Sequence, residues 1–307
     1  MEIIRGLKGL TRRPYPVAAL GNFDGVHLGH RAILKTAADR AHAKSGTAYA
    51  ITFEPAPARV LFPERAPRLI LTPEDKLEFL RQSGIDGVIV LEFTRELSQL
   101  EPRDFVREYL IAGIGVREIV VGHSVSFGHN RAGNAAVMKA LGREMGFETD
   151  VVGPIKAGGI EVSSTKVRQL IAAGDLRGAA KLLGRDHFLR GTVVHGRERG
   201  RTIGFPTANL ESETECIPPD GVYASRVVVA DGAHPAITNI GMRPTFAETV
   251  RSIEAHIFDF NRDIYGERIK LELVERIRPE QKFDSADALK HQIELDLRKV
   301  REILSAA

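Results

Sequence analysis

Along the first 180 residues, short apolar runs of strand length alternate with stretches whose apolar residues recur every three or four positions. VAAL (17–20), AYAITF (48–53), GVIVLEF (87–93) and EIVVG (118–122) are apolar on both faces, as in parallel strands covered by helices on each side. Helical spacing fills 29–44, 73–83, 102–112 and about 133–146 between and after them. This alternation predicts a doubly wound, Rossmann-like α/β domain. After about residue 185 the helical period fades. FLRGTVVH (188–195), GVYASRVVV (221–229), AITNIG (236–241), RSIEAHIFDF (251–260) and IKLELVERI (269–277) read as strands, separated by PPDG, ADGAHP, MRPTF and NRDIYG. Those gaps supply the Gly, Pro, Asn and Asp that turns need. Short strands at this spacing predict an antiparallel β-barrel, and an amphipathic stretch at about 284–304 predicts a terminal helix packed on it. The boundary falls near Leu183–Phe188, giving domains 1–184 and 185–307. A chain of 307 residues is long enough for two separate cores.

Composition narrows the classes. Forty-three basic residues against forty acidic ones leave a net charge of +3, too small to argue for a nucleic-acid or membrane partner. One cysteine, Cys216, makes no internal disulfide and builds no zinc site alone, and a reducing compartment suits it. MEIIRGLKGLTRRPYP lacks the apolar core of a secretory signal, and no run approaches the roughly 20 apolar residues of a membrane span. The expectation is a cytoplasmic protein with small-molecule partners; a homo-oligomer stays open. GxxxxGK[ST], GxGxxG and the HRD/DFG pair are absent from the chain, so nucleotide chemistry must use another architecture.

Gly21 to His30, GNFDGVHLGH, leads straight from the first strand of the pattern into a helix. Gly21, Gly25 and Gly29 let this turn, with Asn22, Phe23 and Asp24, approach a ligand closely. The helix start offers unpaired N–H groups and a positive dipole end, which suits phosphate. His27 and His30, three residues apart, share one face of the first turn, where imidazoles can stabilise charge that develops during transfer. The plain alternative is a pair of surface histidines. VSSTKVR (162–168) opens another helix: Ser163 or Ser164 can cap it, and with Thr165, Lys166 and Arg168 it can grip a polyphosphate. An ordinary capping motif is the alternative there. His123 and His129 read as solvated loop histidines rather than metal ligands.

In the second half, HGRERGRTIGFPTANL carries Gly196, Arg199, Gly200, Arg201 and Gly204, then Pro206, Thr207 and Asn209. A basic, glycine-rich loop can wrap phosphates, although it can also be a charged hairpin tip. Thr207 and Asn209, two apart on a strand, point to the same side and offer hard oxygen ligands for Mg²⁺ on a nucleotide. Glu254, in RSIEAHIF, is a candidate base for a weakly nucleophilic alcohol; a carboxylate on the solvent face of an edge strand is the alternative.

GNFDGVHLGH and VSSTKVR together resemble the nucleotidyltransferases with HxGH and ISSTxxR signatures, more narrowly the FMN adenylyltransferase module of bacterial FAD synthetases. This likeness spans about residues 15–175. HGRERGRTIGFPTANL, GVYA (221–224), NIGMRPTF (239–246), IEAHIFDFNRDIYG (253–266) and RIRPEQKF (276–283) resemble riboflavin kinase over most of 188–285. The resemblance implies a bifunctional enzyme with a six-stranded kinase barrel, using ATP and Mg²⁺ to convert riboflavin to FMN and FMN to FAD. His27, His30 and Glu254 would be catalytic, Thr207 and Asn209 would meet Mg-ATP, and Arg278 and Phe283 would lie near the flavin. Two departures stand out. Ala56 occupies a position where the family commonly has His, and Ser124 and Val125 replace an acidic and an aromatic residue. A riboflavin kinase with an inactive first half, or a flavin- or nucleotide-binding regulator, therefore stay as alternatives.

Overall fold

The structure is a computed structural model that describes residues 1–196, 205–244 and 249–305. The chain forms two compact units, Met1–Ser164 and Thr165–Ala307. Unit one runs β1 (Glu2–Arg5), β2 (Pro16–Leu20), α1 (Leu28–Ala43), β3 (Thr47–Glu54), α2 (Pro57–Leu61), α3 (Pro73–Arg81), β4 (Gly87–Glu92), α4 (Arg95–Ser98) and α5 (Pro102–Phe105). The last of these continues as a π-helix, Val106–Ile114. Then follow β5 (Glu118–Gly122), α6 (Ala135–Met145), β6 (Glu148–Val152) and a small hairpin of β7 (Lys156–Ala157) and β8 (Ile160–Glu161). Helix α7 (Ser164–Ala173) starts at the unit's last residue.

Six parallel strands make one sheet in the order β1-β4-β3-β2-β5-β6. Every residue of β2 is buried, because helices cover both faces. Leu20, Ile51, Ile89, Leu91 and Ile119 pack with Phe105, Leu110 and Ile114 from the helical side; each such side chain contributes about 1.5–3 kcal/mol by leaving water. The outermost strands, β1 and β6, are ones the apolar pattern does not announce. EIIR is only four residues long and ETDVV is largely polar, as befits edges that pack on fewer neighbours. From β2 the strand order runs to β3 and β4 on one side and to β5 and β6 on the other. The carboxyl ends of β2 and β5 thus flank a topological switch point, where such sheets open a ligand crevice.

Unit two contains the rest of α7, α8 (Leu176–Leu183), β9 (His187–Val194), β10 (Ala208–Ser212), β11 (Gly221–Val229), β12 (Gly232–Pro244), β13 (Thr249–Ile257), β14 (Arg268–Arg278) and α9 (Ala286–Ser305). The six strands close into an antiparallel barrel, β10-β13-β12-β11-β14-β9. Leu189, Leu210, Tyr223, Ile240, Ile253, Ala255 and Leu271 fill it. Alternation along each strand sends the residues between them to the outer face. There Val222, Ala224, Ile237, Phe258 and Val274 form a second apolar cluster, sealed by Val300 of α9.

Candidate active sites

The turn after β2 is held in a shape few sequences adopt. Gly25 has φ +85°, and Phe23 and Val26, both fully buried, also have positive φ. At Gly25 that region favours glycine, and an added Cβ would lie 3.0 Å from Ile70. Asp24 anchors the turn: its Oδ1 accepts from the amides of Ile70 (3.0 Å) and Leu71 (3.4 Å), and its carbonyl accepts from Ser164 Oγ at 2.8 Å. Thr52 Oγ1 donates to the carbonyl of Asn22 at 3.2 Å.

His27 is the N-cap of α1, and its Nδ1 accepts the backbone N–H of His30 at 3.2 Å. An accepting Nδ1 leaves Nε2 as the N–H of the neutral ring. The two imidazoles stack, with centroids 3.6 Å apart, and Phe23 meets His30 edge-on at 5.3 Å. Gly29 permits this stack, since a Cβ there would sit 3.2 Å from the His27 ring. Gly21 has Phe23 beneath it in the same way, at 3.1 Å. The turn therefore brings His27, His30, the glycines and Ser164 together. Ser164 is the first residue of α7 and ties its hydroxyl to Asp24, while Thr165 and Arg168 follow along that helix.

Sequence reasoning passed over Lys76, which donates to Thr52 Oγ1 (3.3 Å) and the Phe53 carbonyl (3.4 Å). Burial holds its ammonium below the usual lysine range, against the opposing pull of Glu54 and Asp24. One cation in an amphipathic helix gives no signal of such a placement. Ala56 caps α2 with no side-chain bond. His123 pairs with Glu161 and His129 with Glu101, each a single carboxylate, and among the described residues no cluster of His, Cys, Asp and Glu could hold a metal.

On the barrel, strand register builds the other site. Asn209 of β10 lies opposite Glu254 of β13, which lies opposite Asn239 of β12. Their neighbours Leu210, Ala255 and Ile240 fill the interior, so this polar row stands on the outer face, half-buried. Thr207 Oγ1 donates to Glu254 Oε2 and Ser252 Oγ to Oε1, both at 3.5 Å. Pro206 and Thr207 are positioned by His256, whose Nδ1 donates to the Pro206 carbonyl at 2.8 Å while Phe205 meets its ring edge-on. A Cβ on Gly196 would lie 2.2 Å from Asn209 Nδ2, so a side chain there would have to displace that amide. The predicted residues Arg199, Gly200, Arg201 and Gly204 lie outside the described residues. Arg278 sits at the far end of the row, opposite Val222. It is bound to buried Asp296 of α9 at 2.9 Å and stacked over Phe283 at 5.8 Å. Asn239 and His256 were missed by sequence reasoning. A lone amide inside the apolar run AITNIG was the signal for the first; nothing local distinguished the second.

A helix-terminal imidazole pair at the switch point of a parallel sheet, and a carboxylate beside amides and hydroxyls on a barrel, are both arrangements that can handle phosphate. Together they fit the class of two-site transferases. A model described as FAD synthetase matches residues 11–166, and one described as riboflavin kinase matches 183–304. The chain is 37% identical to the bifunctional riboflavin kinase/FMN adenylyltransferase of Escherichia coli (strain K12), over 98% of this chain and 97% of that protein. Its counterpart in Listeria monocytogenes is 41% identical over 93% and 91%. A crystal structure described as a macrolide-efflux protein from Streptococcus pneumoniae shares the fold at TM-score 0.90 and 33% identity, covering 98% of this chain and 99% of that one. The chain belongs to the bifunctional riboflavin kinase/FMN adenylyltransferase family. Among the described residues no helix is long and apolar enough to cross a membrane.

Proposed function

We propose that this chain phosphorylates riboflavin to FMN on the barrel and adenylylates FMN to FAD at the turn after β2, with ATP as donor in both steps. The observation that carries the first reaction is the register that seats Glu254 between Asn209 and Asn239 with Thr207 at its carboxylate. Glu254 takes the proton of the ribityl 5′-hydroxyl as that oxygen attacks the γ-phosphorus of ATP, and ADP leaves. Thr207 and Asn209 present uncharged oxygens of the kind Mg²⁺ accepts, and these residues would hold the ion against the nucleotide phosphates, where it neutralises charge. Gly196, together with Arg199, Gly200, Arg201, Gly204 and Pro206, is assigned to the ATP phosphates, and Arg278 and Phe283 to the flavin.

For the second reaction, a phosphate oxygen of FMN attacks the α-phosphorus of ATP and pyrophosphate departs, with no covalent enzyme intermediate. His27 and His30 donate to the phosphate oxygens as charge builds, beside the unpaired amides of the α1 start. The Gly21–Gly25 turn, with Asn22, Phe23 and Asp24, brings the backbone close to the nucleotide. Ser163 and Ser164 are assigned to the phosphates, and Thr165 and Arg168 to the same phosphates on the motif alone. The division of labour is therefore 1–184 for adenylyl transfer and 185–307 for the kinase. A single thiol, Cys216, suits a reducing compartment, and we place the reactions in the cytoplasm.

Incubation of the purified chain with riboflavin, ATP and Mg²⁺, followed by chromatography of the flavins, tests the reading. FAD is the expected product. FMN alone would reduce the chain to a kinase, and unchanged riboflavin would leave it a binding protein.

A further inference from the structure

We propose that Asn239 is a substrate-binding residue of the kinase site, one that reads the secondary hydroxyls of the polyol chain carrying the phosphate-accepting alcohol. The inference rests on the assignment of the barrel as a riboflavin kinase. On the outer face of β12 the successive positions are Ile237, Asn239 and Gly241. Ile237 is covered by the α9 cluster. Gly241 is covered by Glu280, whose carboxylate would be only 2.3 Å from a Cβ at that glycine. Asn239 occupies the gap between them, half-buried, and its side chain makes no hydrogen bond to any described residue.

A half-buried amide with no partner among the described residues is left to water, whose place can be taken by a bound ligand. The amide's position says what that ligand is. Asn239 lies directly opposite Glu254, one strand spacing of about 4.8 Å away. On its other side the row continues through Val222 to Arg278, about 14 Å from Glu254 along the sheet by three such spacings. A substrate whose primary alcohol reaches Glu254 and whose ring lies toward Arg278 and Phe283 must pass its next carbons over Asn239. The carboxamide both donates and accepts, as a secondary hydroxyl does. Asn239 thus selects a polyhydroxylated chain over a bare alkyl one ending in the same primary alcohol.

The test is steady-state kinase kinetics with riboflavin and with a flavin bearing an ω-hydroxyalkyl chain, which keeps the terminal alcohol and lacks the secondary ones. Asn239→Ala is expected to lower kcat/KM for riboflavin about tenfold through the riboflavin KM, leaving the ATP KM and the kinetics with the hydroxyalkyl flavin unchanged. Asn239→Ser, which keeps a hydroxyl, should recover part of the loss. An equal loss on both flavins, with either variant, would show that Asn239 merely supports Glu254 and would overturn the inference. So would unchanged riboflavin kinetics in the presence of an active wild type. A wild type that phosphorylates neither flavin would instead remove the kinase assignment itself.

Discussion

His27 shows how one side chain carries two duties. As N-cap it satisfies an orphan amide of α1, and that bond fixes its Nε2 as the donor. Gly196 is the barrel's counterpart, a residue whose missing side chain makes room for the Asn209 amide. Gly196→Ala would drive a methyl group into the Asn209 amide. We expect kinase kcat/KM to fall about tenfold or more through the ATP KM, while conversion of supplied FMN to FAD is unaffected. Kinetics with varied ATP would check it; an unaltered ATP KM would mean that Asn209 does not meet the nucleotide.

At the scale of elements, the barrel site depends on register, since a slip of one residue would turn Asn209, Glu254 and Asn239 inward. The segment before β10 is fastened separately, by the His256 bond to the Pro206 carbonyl. His256→Phe keeps the ring contact with Phe205 and loses that bond, so the ATP KM should rise about fivefold with the riboflavin KM constant. A change confined to riboflavin would refute the positioning role. The same scale shows what the sequence made legible. The buried strands β2 to β5 and five of the six barrel strands stood out because apolar runs reveal burial directly; β10, ANLES, has no such run. β11 and β5 fall at their anticipated bounds, and the terminal helix lies within two residues of them. Strands β1 and β6 stayed hidden because edges need little apolar surface. Helix 102–112 is mostly π-helical, a distinction its spacing did not carry. GNFDGVHLGH was readable since glycine and histidine spacing is local. Asn239 and His256 were not, because their meaning lies in cross-strand partners far away in sequence.

For the molecule as a whole, the barrel carries an acid sensitivity of its own. His187 is buried at the start of β9; burial pulls its imidazole down to about 4, despite its Nε2–H bond to the Cys216 carbonyl. The unfolded chain takes up a proton below about pH 6.5, whereas the folded ring stays neutral until about pH 4. This contribution is complete above pH 6.5 and up to about 3 kcal/mol is lost as the pH falls toward 4. Urea unfolding at pH 7 and pH 4.5 should show the decline, and His187→Gln, which keeps a donor for Cys216, should remove most of it. An equal decline in the variant would place the sensitivity elsewhere.

If the chain holds two chemically distinct centres, each should be silenced without the other. The direct measurement gives riboflavin, ATP and Mg²⁺ to folded His30→Ala and Glu254→Gln chains, then FMN and ATP to each, and separates the flavins by chromatography. His30→Ala should accumulate FMN without FAD. Glu254→Gln should leave riboflavin untouched yet turn supplied FMN into FAD. If either single change stopped both conversions in a folded chain, two independent centres could not be the explanation.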